Sequence, residues 1–506
     1  MNLATIVEPH PADALALISG DATVTYGELR ARAASCRVGL TQAGLEVGDR
    51  VAIVLPNGVD FVIAYLAVLG AGGVAVPLNP QSPAPELARE VATVRPRLVV
   101  AGPPEADGPT RAPGVAAAGA LDVPVVDVPS LEAAGAGAGG GGSVDRADAD
   151  QAVLLFTSGT AGFPKAAILT HGSLRANIEQ MELRVSLAAQ ADDIGILLLP
   201  CSHVFGLNAV LGIHLFIGAA LVITGRFDAA ATLDLVREHR VTTMAAVPTV
   251  FGALAALQDA TSEHLSTVRL AISGAAPLSA EVAQRFESRF GIRLLQGYGL
   301  TEASPAVAFT DPDGTDHGPS SVGTPLPGIE VRIVDPDGEE VVPGDPGELL
   351  VRGPNVFAGY FEDPGATANV IDRAGWLHTG DVAVMADDAT ITLVDRRKDL
   401  IIVSGFNVYP AEVEQALAEH PGVEAVAVVG VPDPTTSEAV QAFVVPSAEA
   451  LANWAEGEAE PASPTADELV QHCRRLLARY KCPTRVRFVR ELPRGLGGEL
   501  LRRALR

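Results

Sequence analysis

The sequence predicts an α/β fold, with a large N-terminal part that holds two α/β subdomains and a small β-barrel. A small, mobile α+β domain is predicted to follow. Three observations lead to this prediction: apolar helical and strand-like runs alternate in the first half, short strands and turns take over from about residue 322, and a strand–turn–strand–helix pattern spans 391–417. The predicted domains are 1–395 and 396–506, and 506 residues suffice for two or more domains.

The first half reads as repeated helix–strand units. Residues 25–45 have helical spacing, with Thr25 as N-cap and Glu28 at capping-box distance. A short strand is predicted at 49–56, and 60–79 reads as a buried helix, a glycine stop and a buried strand. Such alternation is typical of a parallel sheet covered on both faces. Residues 101–150, rich in Pro, Gly and Ala, are expected to form a flexible loop.

The remainder is richer in strands. A hairpin around an Asp-Gly turn is predicted at 328–341, and a strand at 347–353. Strands at 423–433 and 440–446 and a helix at 466–480 follow the charged turn at 395–399. The second domain is therefore expected to begin near Arg396.

Composition narrows the classes of function. The net charge of −25 argues against a general nucleic-acid binder, although ten arginines lie between 474 and 506. The four cysteines lack metal-site spacing and are expected to stay reduced, and no secretory signal is visible. The apolar stretch 194–223 is long enough for a membrane span, but a proline, an asparagine and two histidines interrupt it. We expect a cytoplasmic protein without a transmembrane segment, with peripheral membrane contact as the alternative.

The strongest chemical signal lies at 154–174. An apolar strand enters a Thr/Ser/Gly loop that closes with Pro-Lys and leads to a helix opening near Thr170. Backbone N–H groups, hydroxyls and the Lys165 cation could bind phosphate there, although the Walker A spacing is absent and a plain turn is the alternative. The chain contains only three lysines against 33 arginines, so a lysine at this loop favours the phosphate interpretation.

Two further stretches follow in order. In 294–305 a strand ends at Tyr298, which could stack on a base, and Thr301 and Glu302 could bind phosphate and Mg²⁺. In 375–383 Asp381 could accept hydrogen bonds from ribose hydroxyls. Taken singly, each could be an ordinary turn.

Together these stretches resemble the adenylate-forming superfamily, which includes acyl-CoA synthetases, along essentially the whole chain. "TSGTAGFPK" resembles its phosphate loop, "GYGLTE" its adenine and magnesium motif, and "TGD" its ribose motif. "DRRKD" resembles the interdomain hinge and "LPRGLGGELLRR" the C-terminal catalytic loop. The resemblance implies that a carboxylate attacks ATP to give acyl-AMP, after which the small domain swings and a thiol takes the acyl group.

The resemblance also implies a role for each matching residue, with ATP, Mg²⁺ and CoA as cofactors. Lys165, Thr301, Glu302 and the residue at 499 would be catalytic, Glu302 and Thr157 would hold the metal, and Lys398 would be the hinge. CoA would meet Ser404, Gly405, Phe406 and Asn407. ATP or AMP would be bound by Thr157, Ser158, Gly159, Thr160, Gly162, Lys165, Gly274, Ala275, Ala276, Gln296, Gly297, Tyr298, Gly299, Thr301, Asp381 and Arg396.

The chain departs from the family pattern at three positions. Ala161 and Ala166 replace a threonine and a glycine of the phosphate loop, which are mild changes. Glu499 stands where the family carries its adenylating lysine. A missing transition-state cation reduces rates by about 10²–10³, and an anion near two anions adds repulsion. We therefore expect severely impaired adenylation and a better preserved thioester step; the sequence leaves open whether Glu499 is natural or engineered.

The acid substrate is expected to be an apolar monocarboxylic acid. By the resemblance, His203, Phe205, Ala209 and Gly274 would form its pocket, and no predicted cation could pair with a second carboxylate. A core histidine is the alternative reading of His203. A medium- to long-chain fatty acid is favoured over an aryl acid. Loading of an acyl carrier protein and a non-catalytic nucleotide-binding regulatory role remain the alternatives to CoA ligation.

Overall fold

The structure is a computed structural model, which describes residues 1–102, 112–137, 141–158, 164–185, 190–311, 318, 321–396, 401–454, 461–493 and 502–505. The strands are β1 Leu15–Ser19, β2 Ala22–Thr25, β3 Arg50–Val54, β4 Val74–Pro77, β5 Leu98–Ala101, β6 Val125–Val126, β7 Gln151–Ser158, β8 Pro164–Thr170, β9 Ile194–Leu197, β10 Ala220–Ile223, β11 Thr243–Ala246, β12 Leu270–Ser273, β13 Leu294–Gly299, β14 Ala306–Phe309, β15 Ser321–Pro325, β16 Glu330–Val334, β17 Gly347–Arg352, β18 Leu377–Met385, β19 Ile391–Arg396, β20 Ile401–Val403, β21 Phe406–Val408, β22 Val423–Asp433, β23 Ser437–Pro446 and β24 Arg485–Phe488. The α-helices are α1 Tyr26–Gln42, α2 Val59–Gly70, α3 Ala84–Val94, α4 Ala112–Gly119, α5 Val128–Gly135, α6 His171–Val185, α7 Ile213–Ile217, α8 Ala229–Glu238, α9 Pro248–Ala256, α10 Ala280–Phe290, α11 Pro364–Ala368, α12 Pro410–Ala418, α13 Ala448–Asn453 and α14 Ala466–Leu476.

The largest sheet combines a parallel half and an antiparallel half. Its strand order is β16-β17-β18-β19-β15-β14-β13-β12-β11-β9-β10-β1-β2. The strands from β13 through β12, β11, β9 and β10 to β1 are parallel neighbours, whereas the strands from β14 to β19 pair antiparallel. The strand-rich texture that the sequence shows after residue 322 is this antiparallel half.

A second sheet has the order β6-β5-β3-β4-β7-β8 and is parallel except for β7 and β8. The helix–strand repeats of the sequence form this sheet and the parallel half of the first. Buried aliphatic residues on all four positions of β4 and of β5 show that both faces of these strands are covered. The predicted two α/β subdomains of the large N-terminal part are confirmed.

The last part of the chain builds its own small sheet and core. The sheet order is β21-β20-β23-β22, and β24 pairs parallel with β23. Its core includes Ile401, Val413, Val440, Leu469 and Phe488. This α+β unit follows the predicted order of strand, strand, helix, two strands and helix.

The local prediction for the start of α1 is confirmed. Thr25 and Glu28 form the capping box at the start of α1. Residues 194–223 form a strand, a π-helix over Phe205–Gly212, the short α7 and another strand. In the described part of the chain, no helix has the length and apolarity to cross a membrane.

Three predictions differ from the structure. The segment 101–150, predicted as a flexible loop, contains α4, β6 and α5 in its described parts. Its small residues allow close packing rather than flexibility, since a Cβ at Gly135 of α5 would overlap the Ser35 carbonyl oxygen of α1.

The Asp-Gly segment closes only an isolated bridge between Val334 and Glu340, and the long partner of β16 is β17. The helix predicted to reach residue 480 ends at Leu476. It ends there because the backbone N–H of Ala478 donates to the Glu86 carboxylate of the N-terminal part (2.7 Å), a tertiary bond that a continued helix would not allow.

A buried charge cluster joins the two parts of the protein; we call Glu86, Glu90, Glu412 and Lys481 the interdomain cluster. Lys481 Nζ pairs with Glu86 from α3 and with Glu412 from α12 (2.9 Å to the latter), and all three side chains are at most 7% exposed. Burial alone would lower the pKa of Lys481, but Tyr480, Glu86 and Glu412 raise it well above its usual value. Lys481 is therefore a cation in the interface, and removing one partner of such a pair typically destabilises by about 3–5 kcal/mol.

Glu90 makes the interdomain cluster sensitive to pH. Its Oε2 is buried without a described hydrogen-bond partner. Burial, followed by the charge of Glu86, raises the pKa of Glu90 to about 8. The carboxyl is therefore mostly protonated at pH 7, where it adds no further negative charge beside Glu86.

We expect the stability of the full chain to fall between pH 7 and pH 9, and Glu90→Gln to remove part of this loss. The folded state holds a proton on Glu90 that the unfolded state releases near pH 4.5, so this group's contribution is full at low pH and is lost as the pH rises through about 8. Most of this loss falls between pH 4.5 and pH 8, and the part that remains between pH 7 and pH 9 is about 1.4 kcal/mol, since above pH 8 both states have released the proton. Thermal unfolding at pH 7 and at pH 9 measures this loss of stability.

Glu46→Gln, at an exposed glutamate, provides the control and should keep the wild-type pH slope. Equal slopes for wild type, Glu90→Gln and the control would contradict the assignment of the titration to Glu90.

Candidate functional site

One cavity of about 240 Å³ opens at the carboxyl ends of β11, β12 and β13. Ligands of open α/β sheets bind at this edge, because adjacent parallel strands deliver their following loops there. The cavity wall includes predicted residues from six separate stretches of the sequence. These residues are Thr157, His203, Phe205, Ala209, Gly274, Ala275, Gly297, Tyr298, Gly299, Thr301, Glu302, Asp381, Ser404, Gly405 and Phe406.

The turn after β13 is held against its own strand. A Cβ at Gly299 would overlap the carbonyl oxygen of Pro305, so this position requires glycine. The Leu300 N–H donates to the same carbonyl (3.0 Å), and a short 3₁₀-helix over Thr301–Ala303 follows. The turn thereby places Thr301 and Glu302 on the cavity wall.

Tyr298 and Asp381, predicted separately for the base and the ribose, lie in direct contact. The Tyr298 hydroxyl donates a 2.6 Å hydrogen bond to Asp381 Oδ2. The Asp381 backbone N–H in turn donates to Thr379 Oγ1 (3.1 Å). This contact fixes the carboxylate at the cavity wall, beside the tyrosine ring.

Glu302 has a partner that the sequence analysis missed. The Tyr360 hydroxyl donates to Glu302 Oε1 (2.6 Å), and burial followed by the charge of Glu302 raises the pKa of Tyr360. Lys165 Nζ lies 5.3 Å from the centre of the Tyr360 ring and 3.7 Å from Asp363 Oδ2. Lys165 and Glu302 therefore both contact Tyr360. In the sequence, Tyr360 is marked only as an aromatic residue after a glycine in "FAGYF".

The predicted phosphate loop lies largely outside the described residues. Thr157 and Ser158 end β7 and oppose Lys165 and Pro164 of β8. Gly159, Thr160 and Gly162 fall in the part that is not described, as do Lys398 and Glu499. For Arg396 and Asn407 the structure describes only the backbone, in β19 and β21.

Three predicted nucleotide residues with described side chains do not line the cavity, and Lys165 is one of them. Gln296 is buried behind the wall, where its amide nitrogen donates to the Ser321 carbonyl (2.9 Å). Ala276 likewise is not a lining residue, whereas Gly274 and Ala275 are. Gly274 brings its backbone against Phe205, because a Cβ there would stand only 3.0 Å from the phenyl ring.

His203 meets the C-terminal part of the chain. Its ring packs edge-on against Phe406 (centroids 4.9 Å apart), and Phe406 stacks on Tyr480 at 4.4 Å. Burial, with a smaller contribution from the Lys481 charge, lowers the pKa of His203 to about 4. The imidazole is therefore neutral at pH 7, and it marks the place where the two parts of the protein enclose the cavity.

The deep part of the cavity is an apolar tunnel. One wall is the sheet face formed by alternate residues: Ala245 and Val247 after Thr243, and Ile272 after Leu270. The opposite wall is a helical stripe with a spacing of four, made by Phe205, Ala209, Ile213 and Ile217. The tunnel's described lining contains no arginine or lysine.

The structure identifies no preformed metal cluster among its described residues: no three His, Cys, Asp or Glu side chains converge suitably. The four cysteines are free and buried. A metal at this cavity would therefore need oxygen ligands from a bound molecule in addition to protein groups.

Gly405 decides how closely the C-terminal part approaches the cavity. Its φ is +83°, and a Cβ would overlap Val247 Cγ1, whose β-branched side chain has little rotameric freedom. We expect Gly405→Ala to open the interface, because a left-handed alanine costs about 1–2 kcal/mol and the overlap adds to it. Small-angle X-ray scattering should show a larger radius of gyration.

Gly338→Ala provides the matched control, since its φ is +86° and a Cβ there meets no atom within 4 Å. This variant should lose a similar backbone free energy and keep the wild-type radius. An unchanged radius for Gly405→Ala would show that Val247 moves aside.

The chain matches known proteins over nearly its whole length. Residues 3–361 match the AMP-binding enzyme family, and residues 412–495 match the AMP-binding enzyme C-terminal domain. It is 37% identical to a feruloyl-CoA synthase of an Amycolatopsis species over 500 residues, covering 99% of this chain and 96% of the relative. It is also 37% identical to a long-chain-fatty-acid–CoA ligase of Yersinia pestis over 530 residues, covering 98% and 92%.

Solved structures agree with these matches. The amide bond synthetase of Marinactinospora thermotolerans superposes with a TM-score of 0.88 at 31% identity, covering 100% of this chain and 99% of that one. The motifs, the shared cavity and these matches lead to one assignment. The chain belongs to the AMP-binding enzymes, the adenylate-forming superfamily that includes the acyl-CoA synthetases.

Proposed function

We propose that this enzyme joins an apolar monocarboxylic acid to CoA in two steps through an acyl adenylate. In the first step a carboxylate oxygen attacks the α-phosphorus of ATP, and pyrophosphate leaves. In the second the CoA sulfur attacks the acyl carbon, AMP leaves and the thiol proton is released. One observation carries the proposal: a single cavity joins Thr301, Glu302 and Asp381 to an apolar tunnel and to Phe406.

The nucleotide would occupy the mouth of the cavity. Asp381, held by Tyr298, offers its carboxylate to ribose hydroxyls, and the Tyr298 ring provides an apolar surface for the base. Thr301 would donate to the α-phosphate, and Lys165 would attract the phosphates released as pyrophosphate. Phosphate-loop hydroxyls and amides between 157 and 165 complete the proposed contacts.

Mg²⁺ fits the same region through Glu302 and Thr157. Thr157 Oγ1 is buried on the cavity wall close to the Tyr360 hydroxyl, so its oxygen lies beside the group that engages Glu302. Tyr360 engages one oxygen of Glu302, which leaves the other for an ion that prefers oxygen ligands. The ion would neutralise phosphate charge, while Tyr360 fixes the carboxylate.

The acyl chain would lie in the tunnel between Ala209 and Ile272. The absence of cations from its described lining favours a monocarboxylic acid over a dicarboxylic one. The two walls run along the five residues from Thr243 to Val247, and the four steps between them span about 13 Å at roughly 3.3 Å per residue. This length favours a medium-chain fatty acid or an aryl acid over a long chain.

The thiol would arrive between His203 and Phe406. In this structure Ser404, Gly405 and Phe406 of the C-terminal part form the cavity wall on that side. Closure by Gly405 against Val247 would exclude water from an adenylate that is easily hydrolysed. Relatives named as CoA synthases and CoA ligases support CoA as the acceptor, and an acyl carrier protein remains the alternative.

Glu499 is expected to slow the first step, adenylation of the acid. Restoring a cation by Glu499→Lys should raise pyrophosphate release by about 10²–10³-fold, since the cation would stabilise charge that develops in the transition state. The measurement is pyrophosphate release with C4–C18 and aryl acids for both chains. Conversion of a supplied acyl adenylate and CoA to thioester should change little, because that step does not need position 499.

Pyrophosphate release at equal rates by both chains would contradict the proposed defect. Failure of both chains to release pyrophosphate with any acid, while ATP still binds, would favour the non-catalytic regulatory alternative.

The proposed metal site has its own test. Glu302→Gln should abolish the tightening of ATP binding by Mg²⁺, a change of about tenfold in Kd or about 1.4 kcal/mol, because the anionic ligand is lost. Calorimetric titration with ATP, once in the presence of Mg²⁺ and once in the presence of a chelator, measures the two Kd values. Tyr360→Phe keeps the carboxylate and should keep the Mg²⁺ dependence; loss of that dependence in Tyr360→Phe alone would assign the role to the tyrosine.

A further inference from the structure

The far end of the apolar tunnel is polar. At the start of β11 the cavity reaches Thr243, His214 and Asp193. The opposite end, at Thr301 and Asp381, is where the carboxylate would react. A molecule that fills the tunnel therefore brings the group farthest from its carboxylate to these three side chains.

His214 determines which way the hydrogen bonds run. Its Nδ1 lies 2.7 Å from the Val210 carbonyl oxygen and its Nε2 lies 2.9 Å from Thr243 Oγ1. Burial lowers the pKa of His214, so the ring is neutral and carries one N–H. A carbonyl oxygen can only accept; hence Nδ1–H donates to Val210, and Nε2 accepts the Thr243 hydroxyl hydrogen.

This arrangement leaves Thr243 as an acceptor. Its single hydrogen is directed to His214, and no described residue donates a hydrogen bond to its oxygen. Thr243 is 6% exposed, so an acceptor left without a donor there is unfavourable. Asp193 is already engaged: Thr242 and Arg269 donate to Oδ1, at 2.7 and 3.0 Å, and the Gln190 N–H donates to Oδ2 at 2.7 Å.

A glycine on the neighbouring strand provides the space for the His214 and Thr243 side chains. A Cβ at Gly195, on the strand beside Thr243, would overlap the His214 ring, so glycine at 195 admits the imidazole. The imidazole then holds the threonine hydroxyl in one orientation.

We propose that Thr243, oriented by His214, selects acids that carry a hydroxyl at the end remote from the carboxylate. The hydroxyl hydrogen of the acid would be donated to Thr243 Oγ1. The inference rests on the proposed acid-activating function and adds the substrate class, a distal hydroxy acid, whose hydroxyl could be phenolic or aliphatic. An acid without the hydroxyl leaves the threonine oxygen unpaired and should react more slowly by roughly tenfold or more.

The test supplies adenylates of matched acids together with CoA, so that it does not depend on position 499. One pair is 4-hydroxycinnamoyl and cinnamoyl adenylate, and the other is 10-hydroxydecanoyl and decanoyl adenylate. The ratio of kcat/KM for thioester formation within each pair should favour the hydroxylated member roughly tenfold in at least one pair. The pair with the larger ratio identifies the phenolic or the aliphatic source.

Three threonine variants locate the effect. Thr243→Val removes the acceptor at similar volume and should bring the ratio close to one, chiefly by slowing the hydroxylated substrate. Thr243→Ser restores an acceptor and should restore the preference. Thr224→Val is the matched control, because Thr224 is also buried, donates one hydrogen bond to Leu197 (2.9 Å) and lies off the cavity.

The outcomes separate this inference from the proposed function. Equal rates within both pairs, or a preference that survives Thr243→Val, would overturn the inference while leaving the ligase proposal intact. If no adenylate gives a thioester, the proposed function fails. Calorimetric binding of the free hydroxy and deoxy acids then still tests the inference, and equal Kd values would overturn it.

Discussion

The buried ion pair between Lys481 and Glu86 is the contact on which the described arrangement depends. Lys481 is one of three lysines in the chain, and it belongs to the C-terminal part, whereas Glu86 belongs to helix α3 of the N-terminal part. Glu412 completes the pairing, and the N–H of Ala478 donates to Glu86 as well. Charges taken out of water are tolerated only with several good partners, so this cluster favours one docking position over others.

That docking position has consequences at the cavity. The aromatic cluster of His203, Phe406 and Tyr480 lies next to Lys481 in the same interface, and the Lys481 charge contributes to the low pKa of His203. Gly405 then fits against Val247. The interdomain cluster and the cavity wall are therefore formed by one closure of the C-terminal part, which links the geometry of the site to the charges of an interface outside it.

The tunnel runs along one sheet face, with polar groups at both ends of the strands. At the carboxyl ends of the strands, glycines bring backbone close to Phe205 and Pro305 and leave polar side chains at the cavity. At the amino end of β11, Thr243 and His214 form a short polar floor below aliphatic walls. Between the two lies an apolar length of about four strand residues, roughly 13 Å. Under the proposed function, these two features would limit the acid in length and in the chemistry of its far end.

The sequence by itself determined the fold class, the order of the elements and the positions of the motifs, because hydrophobic periodicity, capping residues and glycine turns act locally. It also predicted Tyr298, Glu302 and Asp381 as site residues, and the structure shows these three on the wall of one cavity. Only the tertiary structure decided that Tyr298 bonds Asp381, that Tyr360 bonds Glu302 and that Lys481 lies between two glutamates. These partners lie 58 to 395 residues apart in the chain, and no local pattern records them. The early end of α14 has the same cause, since a distant carboxylate bonds a backbone N–H that helical spacing would have kept in the helix.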